Sequence, residues 1–182
     1  MTKGKNVLLR PTRDQDWPTF ETWRKSREAL WGSYQRFHIN HLPLLKRAFQ
    51  KNGLLSRESG MLLIETIAEQ RVVGFVRYSM LAFPDADCPY PEIGFGIPEV
   101  SARKQGYGTE GVDLLVAYLF SGYLAERIAA FTDIENIPAQ RIMEHLGFQR
   151  EGIIRKGLFR DGNWHDMAMY GILRGEFEGT VL

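Results

Sequence analysis

The chain has 182 residues, 44% of them hydrophobic, which suits one domain with a sizeable core and leaves two domains cramped. A formal net charge of +1, with 25% charged residues and no basic run, excludes a broad electrostatic field for nucleic acid as main ligand. The single cysteine, Cys88, excludes an internal disulfide framework. The opening residues lack the apolar core of a signal peptide, and no apolar run nears the roughly 18 residues needed to span a membrane, so a cytoplasmic protein with no membrane role is expected.

In chain order, Val7 to Arg10 predicts a first strand. Thr12-x-x-Gln15 has the spacing of a capping box, with Asp14 and Asp16 placed to meet the dipole of a helix carrying Trp17, Phe20 and Trp23. An aromatic-rich loop follows from Trp31 to Phe37. A second helix is predicted from Pro43 to Lys51, with Leu42, Leu45 and Phe49 on one side and Gly53 after its end. His38 and His41 are spaced like a ligand pair, but no acid or cysteine cluster accompanies them, so no metal is expected.

From Gly60 the pattern turns to strands. Met61 to Thr66 and Val72 to Met80 are rich in branched and aromatic residues and are joined through Ala68-Glu69-Gln70, short enough for a hairpin. Pro84, Asp85, Asp87, Pro89 and Pro91 mark an exposed turn. A strand then starts at Glu92, with Ile93, Phe95 and Ile97 on one face and Glu92, Gly94 and Gly96 on the other. Val112, Leu115, Val116 and Leu119 recur at helical spacing. Arg127 to Asp133 reads as a strand. Asn136 caps a helix with Pro138 in its first turn, Ala139, Ile142, Met143 and Leu146 on one face, and Gly147 as its stop. Phe148 to Lys156 and Trp164 to Leu173 form a late hairpin around Asp161-Gly162. The order predicts one α/β domain over residues 1–182 with a mixed sheet flanked by helices.

The central stretch is the turn Arg103-Lys104-Gln105-Gly106-Tyr107-Gly108 between a strand and the main helix. The first N–H groups of a helix lack partners within it, and the dipole adds partial positive charge, so this end attracts phosphate. The dipole is worth roughly 0.3–1 kcal/mol, whereas a micromolar ligand needs about 8 kcal/mol. The ligand should therefore have a long second portion, and the preceding strand is the natural place for it. Gly106, Gly108 and Gly111 also spell G-x-G-x-x-G, with Asp133 about where a dinucleotide fold places its ribose-binding acid, but in that fold the glycines follow the strand at once, and here residues 98–105 intervene.

At these residues the chain resembles the GCN5-related N-acetyltransferases (GNAT family), through Arg103-x-x-Gly106-x-Gly108, Glu92-Ile-Gly-Phe, Gly106-Tyr-Gly-Thr-Glu110, and Asn136-x-x-x-x-Arg141 to Leu146-Gly-Phe148. Glu151-Gly-Ile-Ile-Arg155 and Asp161-Gly-Asn-Trp-His-Asp166 are similar to the branch of ribosomal-protein alanine acetyltransferases. The resemblance implies a GNAT-like fold with a mostly antiparallel sheet and acetyl-coenzyme A as acyl donor. It implies that the turn residues Arg103, Lys104, Gln105, Gly106, Tyr107, Gly108 and Thr109 hold the pyrophosphate, and that the pantetheine arm lies on Phe95, Gly96 and Ile97 with Asn136 nearby. It also implies that Glu92 accepts the amine proton through water. Asn136 serves equally as a plain helix cap, and Glu92 as an ion-paired strand residue. Glu110 is expected to serve the dipole or an internal hydrogen bond.

Two departures stand out. Related N-terminal acetyltransferases often carry a serine where Ala139 stands, leaving Tyr107, Tyr170 or solvent to protonate the thiolate, and the loop before Arg103 is one residue longer than the usual pattern. The acceptor is expected to be an amine. An α-amine with pKa near 7.7–8.0 costs about 3 kcal/mol less to deprotonate than a lysine near 10.4, which favours a protein or peptide N-terminus or an amino-acyl small molecule. A small-molecule amine such as an antibiotic or polyamine, a catalytically weak acyl-coenzyme-A sensor, and a homodimeric state remain open. Trp17, Trp23, Trp31, Tyr34 and Phe37 line an acceptor pocket or pack in the core.

Overall fold

The computed structural model describes residues 2–26 and 41–180. The aromatic loop with Trp31, Tyr34 and Phe37, together with His38 and the side chain of His41, lies outside the described residues. Eight strands form one sheet in the order β1-β2-β3-β4-β5-β6-β8-β7. They are β1 Thr2–Lys3, β2 Val7–Pro11, β3 Ser59–Thr66, β4 Val72–Leu81, β5 Tyr90–Gly96, β6 Arg127–Asp133, β7 Gln149–Arg160 and β8 Asn163–Leu173. Every neighbouring pair is antiparallel except β5 and β6, which are parallel, so the sheet is mixed and mostly antiparallel. The helices are α1 Trp17–Lys25, α2 His41–Asn52, α3 Tyr107–Gly122 and α4 Ile137–His145. The single parallel pair overturns the doubly wound dinucleotide alternative, whose strands are mostly parallel.

Two clusters cover the two faces of the sheet. On one face Val112, Leu115, Val116 and Leu119 of α3 and Met143 of α4 pack onto Val7, Leu9, Ile64, Val76, Ile93, Ile128 and Tyr170. On the other, Phe20 and Trp23 of α1 pack against Leu63, with Trp17, Leu42, Leu45 and Phe75 around them. Trp17 and Trp23 are therefore packing residues, Trp17 lying 5.3 Å from both Phe20 and Phe49. Because α1 and α2 shield only the β3–β4 end of their face, the part over β5, β6 and β8 has no helix on it among the described residues.

Four local expectations differ from the structure. Thr12 does not cap a helix: its hydroxyl is buried without a partner, and a single-turn helix over Asp14–Asp16 precedes α1. Asp16 does the capping instead, accepting from the Arg13 N–H at 2.7 Å, while both its oxygens take the Arg10 guanidinium at 2.8 Å. Pro91 is part of β5, opposite Met80, and is tolerated because pairing of β5 with β6 begins only at Glu92. Ile97 lies just beyond β5, yet still packs on the α3-side core. The late hairpin is longer than predicted: β7 runs on past Lys156 through a bulge between Ile154 and Leu158 to the turn at Asp161 and Gly162, whose φ values of 49° and 81° suit a type I′ turn.

Candidate active site

The site starts where two strands part. β4 pairs with β5 all the way to Gly96, but the β5–β6 ladder consists of Glu92↔Ala129 and Ile93↔Ala130, after which β6 stays with β8 through Asp133. From Gly94 onward β5 therefore presents main-chain groups to a wedge rather than to a neighbouring strand. Such edge groups are the natural partners of an extended ligand with amides of its own. The side chains of Phe95 and Ile97 turn into the core, so these residues offer their backbone to the wedge.

The turn that opens α3 lies just beyond. A single-turn helix over Val100–Ala102 ends with the Arg103 N–H on the Val100 carbonyl at 3.2 Å, and the Arg103 side chain reaches back to the Ile97 carbonyl at 2.9 Å. That bond ties the turn to the end of β5. Lys104 and Gly106 then take positive φ, 61° and 81°, the alternation that aims successive N–H groups into one concavity. Gly106 is the N-cap of α3, its carbonyl receives the Glu110 N–H at 3.0 Å, and a Cβ added to it would have nothing within 4 Å. The N–H groups at 107–109 have no acceptor within the helix. Lys104, Gln105 and Gly106 are exposed, Thr109 is half-buried, and Tyr107 packs against the core.

The other predicted residues stand on different elements, Glu92 on β5, Asn136 at the head of α4 and Glu110 in the first turn of α3. Glu92 sits at the apex of the wedge. Directly paired residues share a face, so Arg77, Ser79, Glu92, Gly94, Ala129, Phe131, Asp133, Met167 and Met169 all lie on the face opposite α3. There the Glu92 carboxylate accepts from Ser79 Oγ at 3.0 Å and lies 3.6 Å from Arg77 Nη1. Asn136 caps α4, accepting from the Ala139 N–H at 3.3 Å and donating to Thr132 Oγ1 at 3.0 Å. The first bond is the cap and the second ties it to β6, so both polar atoms of Asn136 have protein partners. Burial pushes the Glu110 carboxyl up, but donors from Asn6, Val7 and Lys5 outweigh it and hold the group below its usual range. Glu110 thus fastens the entry of β2 to α3.

The pattern from residue 6 to residue 149 matches the family model described as "Acetyltransferase (GNAT) domain". The chain belongs to the GNAT acetyltransferase family. A GNAT relative from Bacillus subtilis, the SPbeta prophage-derived uncharacterized N-acetyltransferase YokL, is 30% identical over 176 residues, 96% of this chain and 94% of its own length. Other curated relatives match over shorter stretches: YnaD of Bacillus subtilis is 33% identical over 41% of this chain, which spans only 44% of that protein. Among solved structures, a GNAT-family acetyltransferase from Bacillus anthracis superposes with a TM-score of 0.79 at 24% identity, covering 96% of this chain and 99% of its own. RimL, a ribosomal L7/L12 α-N-protein acetyltransferase in complex with coenzyme A, has a TM-score of 0.78 at 16% identity over 93% of this chain and 95% of its own. The spermidine N-acetyltransferase of Vibrio cholerae, in complex with coenzyme A and spermine, has a TM-score of 0.77 at 16% identity over 95% and 98%. These structural likenesses carry the fold.

The two tyrosines expected as alternative proton donors differ in their surroundings. Tyr170 is fully buried, donates to Glu144 Oε1 at 2.9 Å, and is pushed up by burial and by that carboxylate, so it cannot reach a thiolate. Tyr107 stands in the turn itself. Sequence reasoning missed the polar group at the far end of β6, where Asp133, Glu135 and His165 place ligand-type atoms within 4.8 Å of one another. Arg160 already supplies the cation there, 3.2 Å from Asp133 and 3.3 Å from Glu135, so the group pins the late hairpin to the β6–α4 turn. The β6–β8 pairing at Asp133↔Met167, continued by the Ile134 N–H on the Asp166 carbonyl at 3.1 Å, brings these residues together.

Proposed function

We propose that this protein is a cytoplasmic acetyl-coenzyme-A-dependent N-acetyltransferase acting on an α-amine, at the N-terminus of a protein or peptide or on an amino-acyl small molecule. The observation that carries the reading is the parting of β5 from β6 immediately after Glu92 and Ile93, with the glycine turn at the head of α3 next to it. Amides around Lys104 to Thr109 hold the pyrophosphate, and the pantetheine arm pairs with the β5 main chain at Phe95 to Ile97. Asn136 borders the arm from α4. The thioester then lies at the apex, beside the Glu92 carboxylate.

Transfer is direct. The acceptor's lone pair attacks the thioester carbonyl carbon, the C–N bond forms as the C–S bond breaks, and the amine proton passes through water to Glu92. The leaving thiolate is a modest base, with cysteine near 8.5 as its guide, so it takes its proton from water without a dedicated acid. Ala139 offers no hydroxyl, and the free energy for deprotonating an α-amine near neutral pH is small, which suits a site with one base and no acid. The similarity of Glu151–Arg155 and Asp161–Asp166 to the ribosomal-protein alanine acetyltransferases supports a peptide acceptor. Thiol release with acetyl-coenzyme A and a panel of peptides, amino acids and polyamines tests this. Turnover on α-amines is expected; tight coenzyme binding with no turnover on any amine would make the protein a sensor instead.

A further inference from the structure

Charge on the open face of the sheet discriminates between the acceptor classes. A polyamine carries several ammonium groups, and a site for it needs carboxylates without cationic partners. On the sheet face opposite α3 and beside it, four carboxylates already have a cationic partner: Glu92 has Arg77, Glu151 has Arg127 at 2.5 Å, and Asp133 and Glu135 share Arg160. Arg77 differs from the other cations. Its side chain is 51% exposed, against 30% for Arg127 and 10% for Arg160. It lies flat over Gly94, where an added Cβ would sit 2.7 Å from Nε, which puts the guanidinium beside the wedge and next to Glu92. Ser79, not Arg77, makes the short bond to Glu92, so the guanidinium fork keeps donors for a second carboxylate.

Resting on the N-acetyltransferase reading above, we propose that Arg77 sets acceptor specificity: the site takes an α-amine whose own molecule carries a nearby carboxylate, and it turns linear polyamines away. The same exposed cation attracts the first and repels the second. An acidic first residue of a peptide and a free acidic amino acid share this chemistry, and the assay separates the two sources. Phe131, Met167 and Met169, half-buried on the same face, give the backbone of a peptide an apolar floor.

The test is kcat/KM for an Asp-initiated peptide, its Asn-initiated counterpart, free aspartate and spermidine, in the wild type, Arg77→Gln and Arg77→Glu. The wild type should prefer the Asp peptide over the Asn peptide by at least tenfold and should use spermidine worst, with free aspartate above the Asn peptide only if the source is the free amino acid. Arg77→Gln should bring the Asp:Asn ratio to near one, chiefly through KM for the Asp peptide, with coenzyme A affinity unchanged. Arg77→Glu should move the preference toward spermidine. A ratio that survives Arg77→Gln, or spermidine as the best wild-type substrate, overturns the role of Arg77 while leaving the enzyme reading standing. No turnover on any amine despite bound coenzyme overturns both.

Discussion

Gly106→Ala separates what the glycine does for the fold from what it does for a ligand. Gly106 has φ of 81°, and a Cβ there meets nothing within 4 Å, so the substitution adds left-handed strain but no clash. That strain costs roughly 1–2 kcal/mol, which for a chain of this size lowers Tm by about 2–4 °C for each kcal/mol. Gly53, at the end of α2, is a matched control: its φ is 66°, and its added Cβ also meets nothing. Both variants should lose similar stability. They should differ in coenzyme A affinity under the proposed function, because Gly106 stands in the turn assigned to the pyrophosphate, whereas Gly53 follows α2. Titration calorimetry should show a loss of at least tenfold for Gly106→Ala, about 1.4 kcal/mol, and none for Gly53→Ala. Equal affinity in the two variants would remove the turn from the site.

Other outcomes follow from named contacts. Glu92→Gln should lower kcat by about 10²–10⁴, the usual range for a general base, and leave coenzyme A affinity within a factor of a few, as read in steady-state and binding assays; wild-type turnover across pH would show that Glu92 is not the base. Asn136→Ala removes an N-cap and should cost about 1 kcal/mol by urea titration, and coenzyme affinity measured in the same variant shows whether the residue does more than cap. Arg10→Met leaves Asp16 and Glu65 without their shared cation at a site 2% exposed, and losing one partner of a buried pair costs about 3–5 kcal/mol. For acid stability the sign is set by Asp16: burial pushes its carboxyl up, but the Arg10 guanidinium and the Arg13 N–H prevail and hold it below the usual value. Its contribution is complete above the unfolded pKa near 3.9 and is lost as pH falls through the lower folded value, so Tm should drop below about pH 4, and an Arg10→Met variant should lose less over that range.

Much of this protein is legible in its sequence wherever a local signal and the tertiary outcome agree. The helix of α3 follows from Val112, Leu115, Val116 and Leu119, all fully buried, and the late turn follows from Asp161-Gly162, because only residues that accept positive φ close a two-residue hairpin. Asn136 caps α4 as its spacing to Pro138 predicts. Thr12 misled because its capping-box spacing is local, whereas the choice of cap was made by Arg10, which draws Asp16 into a buried pair reaching from β2 to the first helical turn. Pro91 misled for a similar reason: proline reads as a turn until the neighbouring strand is known to start pairing one residue later. Arg77 carries no motif at all. Its meaning comes from the β4–β5 register, which sets it opposite Gly94 and beside Glu92 on the neighbouring strand, information that periodicity does not contain.

The most direct measurement is diffraction from crystals grown with coenzyme A. The pyrophosphate should sit on the amides between Lys104 and Thr109, with the pantetheine arm hydrogen-bonded to the β5 main chain beyond Ile93 and its sulfur at the apex beside Glu92. Coenzyme bound elsewhere, or a wedge closed by side chains with β5 and β6 paired to their ends, would contradict the account.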